Sequence, residues 1–137
     1  MHLLFVGFAA LIATASVAGT QPSVRASAAW IQAPAAGSTE ASVFVTIDNG
    51  TMYDVYIVGA ETEVATTIEL RDTSKGAAAP EAIKEVPVSA YGRLEMSPDA
   101  VHLHLGSLKR PLVAGEVVKL VIYTDGGDQL TVSATVK

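Results

Sequence analysis

The chain is 137 residues long, half of them hydrophobic but only 6% aromatic, with a net charge of −5 and no cysteine. That length supports one domain with a core of Val, Ile, Leu and Ala rather than two domains. The nine Lys and Arg residues are scattered, which excludes the clustered basic footprint of a nucleic-acid binder; without thiols, disulfides, thiolate catalysis and cysteine-ligated zinc are excluded too.

Leu3 to Ile12 is an apolar run of signal-peptide length, too short to span a bilayer, and small residues follow at Ala13-Thr14-Ala15 and Ser16-Val17-Ala18. We read 1–18 as a signal peptide, 19–27 as a short lead-in and 28–137 as the folded domain. No later segment is apolar for long enough to cross a membrane, so the mature protein is expected to be exported, to a periplasm or beyond, without a stable membrane span.

From Ala28 onward, short β-rich runs alternate with turn signals every 8–12 residues or so, the pattern of an antiparallel sandwich or barrel. Ala29-Trp30-Ile31 opens the first strand, with Trp30 expected to pack at the end of the sandwich. Val43, Val45 and Ile47 alternate with Phe44 and Thr46 in the next, which runs into the turn signal Asn49-Gly50. Val55 to Val58 is apolar throughout and reads as a strand covered on both faces. Thr66 to Leu70 follows, then a loop from Thr73 to Pro80. Ala82 to Val88 and Arg93 to Met96 read as short strands joined at Ala90-Tyr91-Gly92. After the strand around His102, Gly106 to Gly115 reads as a long turn, and Val117–Tyr123 and Leu130–Val136 close the domain. The expectation is an all-β fold, a single antiparallel β-sandwich of seven to nine strands.

Val101-His102-Leu103-His104-Leu105 alternates with period two. Both imidazoles therefore leave the strand on one face, with Cα atoms about 6.5–7 Å apart. Two nitrogens at that spacing can converge on one metal ion, and imidazole suits Cu and Zn; the same pattern also describes a polar-out strand face. Neither a Gly-x-Ser-x-Gly elbow nor a phosphate-binding glycine loop is present, and we expect no enzyme.

Several segments together resemble the PCu(A)C periplasmic copper chaperones. They are Ala29-Trp30-Ile31, Ser42 to Asn49, Asp54 to Ala60, Ile68-Glu69-Leu70, and above all Pro98 to Leu112 with His102-Leu103-His104-Leu105. The resemblance covers nearly the whole mature chain and implies a cupredoxin-like sandwich that carries copper to respiratory oxidase or holds it in the periplasm. It also implies a metal site containing His102, with His104 where the family has Met. At the family's early His and Met positions stand Arg71 and Thr73, and no Met or His occurs between Thr73 and Glu95. Met52 and Met96 do not restore the set. Loss of thioether sulfur removes the preference for Cu(I), and two imidazoles suit Cu(II) or Zn(II) better. Glu69, Asp72 and Asp99 are the candidate oxygens to complete such a site. The expected partner is a copper-donating or copper-accepting envelope protein. The alternative is a metal-free sandwich that serves the envelope as an interaction or accessory protein.

Overall fold

In the computed structural model, which describes residues 23–76 and 80–137, the regular elements are ten strands. The expected signal peptide lies outside the described residues. The strands are β1 (Val24–Gln32), β2 (Ala41–Asn49), β3 (Val55–Glu61), β4 (Ala65–Asp72), β5 (Glu81–Ile83), β6 (Val86–Val88), β7 (Arg93–Glu95), β8 (Val101–Leu108), β9 (Val117–Thr124) and β10 (Gln129–Val136). They join in the order β5-β4-β8-β2-β1-β10-β9-β3-β6, with β7 beside β2. All pairs are antiparallel except β1 with β10. The sheet folds over a core in which Ile31, Val43, Ile47, Ile57, Leu103, Leu105, Leu120 and Ile122 are fully buried. These residues alternate along their strands, so the period-two pattern places them on the inner face.

Several expected boundaries move. β1 begins at Val24, inside the expected lead-in, because its first half pairs with the far end of β2, from Val24 against Asn49 to Ser27 against Thr46. One extra residue then shifts the register between Ser27 and Trp30, and Ala28 takes a positive φ of 50°, as β-bulges do. The expected strand Ala82–Val88 is two strands. β5 pairs with β4 and β6 with β3, so the chain crosses from one edge of the sheet to the other at Lys84-Glu85. This split takes the strand count past nine. β3 is not covered on both faces: Ile57 is buried, but Val58 is 42% exposed at a register shift against β9. β8 continues through Gly106 and Ser107 to Leu108, where a turn was expected, because β4 pairs with it as far as Ala65.

The Asn49-Gly50 signal works differently from a two-residue turn, since neither residue has a positive φ. The buried Asn49 amide donates to the carbonyls of Tyr53, Val88 and Ser89 at 2.7, 3.0 and 3.2 Å, and its Oδ1 accepts from Thr51 N–H and Oγ1 at 3.0 and 2.7 Å. Gly50 N–H donates to Ser23 O, and a Cβ at Gly50 would stand 3.0 Å from that oxygen. This dipeptide therefore ties two loops and the start of β1 together.

β7 and β8 share one edge of β2: β8 pairs with Ala41–Val43 and β7 with Thr46–Asp48. The connection Met96–Ala100 leaves the sheet between them and returns as β8. Thr73, just past β4, clasps that connection: its hydroxyl shares one proton between Pro98 O at 2.7 Å and Ala100 O at 3.0 Å, and its N–H donates to Ala100 O at 3.2 Å. That clasp sets where the histidine strand begins.

Candidate metal centre

Residues directly opposite in an antiparallel pair share a face, so register fixes the surroundings of the two histidines. His104 lies between Ser42 of β2 and Glu69 of β4, and His102 lies opposite Arg71 of β4. On its other side the His102 ring meets Phe44, with centroids 5.9 Å apart, and Phe44 meets Trp30 of β1 at 4.5 Å. Two neighbouring rows thus cross the outer surface of the sheet. One is Trp30, Phe44, His102, Arg71; the other is Gln32, Ser42, His104, Glu69. Trp30 belongs to this surface rather than to the end of the sandwich.

Phe44, His102 and Arg71 of one row and Gln32, Ser42 and His104 of the other form the floor of a pocket of about 310 Å³, walled by Thr73, Pro80 and Pro98. His102 is only 5% exposed, so this is not a solvated strand face. Its Nδ1 lies 3.3 Å from Ala100 O; donation there places the proton on Nδ1 and leaves the lone pair on Nε2. Burial pushes the His102 imidazole below its ordinary pKa, the Ala100 contact opposes that shift, and the charges of His104 and Arg71 add to it. The neutral, ligating form is therefore favoured at neutral pH. His104 Nε2 is buried without a hydrogen bond; Glu40 Oε1 lies 3.4 Å away and pairs with it ionically only when the ring is protonated.

The other sequence candidates divide sharply. Arg71 and Thr73, at the expected family ligand positions, line the pocket with the two histidines. The Arg71 guanidinium is turned along its own strand, where Nε donates to Glu69 Oε1 at 2.7 Å and Nη2 contacts the same oxygen. Of the candidate oxygens, Glu69 alone shares the histidine face. Asp72 pairs with Val101, and its Oδ1 accepts from Ser74 N–H at 2.8 Å; that bond is the main cause of its lowered pKa. Asp99 is exposed in the turn before β8. Met52 is 63% exposed in another loop, Met96 is buried, and neither lines the pocket. Sequence reasoning missed Phe44 and Glu40. Both reach the histidines through the β2–β8 pairing, which leaves no local signal. Among the described residues, no group of three or more His, Cys, Asp or Glu side chains forms a ready metal cage. The donors present are two imidazoles, a set suited to Cu(II) or Zn(II) rather than to Cu(I).

Comparison with known proteins gives this arrangement a context. Residues 24–136 match the family described as "Putative lipoprotein LpqE-like". The chain is 30% identical over 131 residues to "Putative lipoprotein Lxx21020" of Leifsonia xyli subsp. xyli, spanning 93% of this chain and 78% of that one. Its fold matches CuI-DR1885 from Deinococcus radiodurans in solution, with a TM-score of 0.72 and 31% identity over 88% of this chain and 83% of that one. It also matches the copper-bound PCuAC domain from PmoF2, with a TM-score of 0.73 and 14% identity over 85% and 95% of the two chains. The expected cupredoxin-like β-fold and the family resemblance read from the strand segments together are therefore both borne out. With its β architecture matched by a solved PCuAC-type fold and its sequence matched from Val24 to Val136, the chain belongs to the PCuAC-related LpqE-like family.

Proposed function

We propose that this protein is an exported copper-binding protein that receives or delivers copper in the cell envelope, with His102 and His104 as its metal ligands. The observation that carries this reading is the pair of neighbouring imidazoles in one pocket, His102 with its tautomer set by Ala100 and His104 with a buried, unbonded Nε2. Copper is cargo here, not a resident cofactor. Two protein ligands leave the ion under-coordinated, so a partner offering more or softer donors takes it by ligand exchange. Delivery toward respiratory oxidase in a periplasm is the specific role this reading favours, and its partner is a copper-donating or copper-accepting envelope protein. We assign no catalytic role: the copper-chaperone-like family is not an enzyme class. The name of the Leifsonia relative supports export, and no helix among the described residues is long and apolar enough to cross a membrane.

Titration of the mature protein with Cu(I) and Cu(II), against a His102→Ala, His104→Ala double variant, tests the reading directly. It expects Cu(II) to bind more tightly to the wild type. Equal affinities would overturn it.

Arg71 favours a second reading. A permanent cation opposite His102 disfavours a dication, as expected of a family member that has given up its copper site for protein interaction. That reading expects partner capture independent of copper and of both histidines.

A further inference from the structure

We propose that the pocket takes copper(II) together with a small carboxylate, the anion lying between the ion and the Arg71 guanidinium. This rests on the copper reading of His102 and His104 and names the form in which the cargo is held.

The argument starts from what the two imidazoles leave undone. Copper(II) prefers a tetragonal set of nitrogen and oxygen donors, and His102 and His104 supply only part of it. The protein's own carboxylates do not complete the set. Glu40 Oε1, 3.4 Å from His104 Nε2, can add one oxygen at that end and still leaves the His102 side open, and Glu69 is already bonded to Arg71. The remaining polar lining is Gln32, Ser42, Thr73 and Arg71, and the Thr73 hydroxyl already donates to Pro98 and Ala100. Arg71 uses Nε and Nη2 on Glu69, and its Nη1 makes no hydrogen bond among the described residues.

A guanidinium is always charged, and a bare dication beside it is repelled. A carboxylate resolves both deficits at once. One oxygen completes the copper coordination while the other accepts a charge-assisted hydrogen bond from the guanidinium. The pocket, at about 310 Å³, has room for an ion and a two- or three-carbon acid. Arg71 then selects a charge-neutralised copper complex over the naked ion.

Acetate is the probe. Copper(II) affinity of the mature protein is measured by calorimetry with acetate or chloride at equal ionic strength, correcting for copper bound by acetate in solution, and the copper centre is followed by electron paramagnetic resonance. We expect acetate to tighten copper binding roughly tenfold, the worth of one charge-assisted hydrogen bond, and to change the resonance parameters. Arg71→Gln abolishes the tightening, with folding checked by thermal melting. Glu69→Gln, which releases the guanidinium, enlarges it. An equal acetate effect in wild type and Arg71→Gln overturns the inference, as does no acetate effect in a wild type that binds copper; both leave the copper reading standing. Absence of copper binding with or without acetate overturns both.

Discussion

Arg71 stands opposite His102 in the β4–β8 pair, yet its guanidinium is bonded to Glu69 on its own strand. A cation at an expected ligand position is thereby partly neutralised by the residue two places earlier. In buffer free of carboxylates, Arg71→Gln is expected to tighten copper(II) binding about tenfold or more, because a fixed like charge is removed from the pocket. Glu69→Ala should weaken it, because the guanidinium loses its counter-charge. Competition against a chelator of known affinity measures both.

Trp30 is the sole tryptophan, and one ring, Phe44, separates it from His102. Copper(II) at the histidine pair is therefore expected to quench the intrinsic fluorescence strongly, whereas zinc(II) should bind without comparable quenching. A fluorescence titration of wild type and the double histidine variant is decisive: quenching that survives loss of both imidazoles places the copper elsewhere.

The Asn49 amide holds five hydrogen bonds at the junction of the 50–54 loop with the end of β6. Asn49→Leu leaves those partners unsatisfied and is expected to lower stability by about 1–3 kcal/mol. Asn49→Asp should be at least as harmful, because its carboxylate cannot donate to the carbonyls of Tyr53, Val88 and Ser89. Urea unfolding reads both, and an unchanged midpoint would show that the amide is dispensable.

Glu116 accepts from Arg110 and from Val113 N–H, and these bonds hold its carboxyl below the ordinary range, with the Arg110 bond the larger cause. A carboxyl with a lowered folded pKa contributes stability above its unfolded pKa and loses it as pH falls through the folded value. Wild type should therefore exceed Glu116→Gln in stability near neutral pH, with the gap closing below about pH 4. Urea midpoints at about pH 7 and about pH 3 check the sign.

Much of this could be read along the chain. The alternation in β2, β9 and β10 gave their limits to within a residue or two, because each sends its core residues inward at period two. The His102-Leu103-His104 spacing correctly placed two imidazoles on one side of a strand. What escaped were features set by pairing. β1 reaches back to Val24 because Asn49 waits opposite it, and Ala82–Val88 breaks because its halves serve opposite edges. Phe44 and Glu40 come to the histidines only through the β2–β8 register, so nothing near them in sequence announces a site.

The crossing at Lys84-Glu85 puts β5 and β6, three residues each, at the two ends of the strand order, and β6 carries Pro87. Terminal strands this short, one of them carrying a residue without an N–H, make poor templates for an added strand. Neither terminal strand therefore offers a long continuous backbone ladder to a neighbour, and the side chains of the outer face, with the histidine pocket among them, are the larger feature on offer.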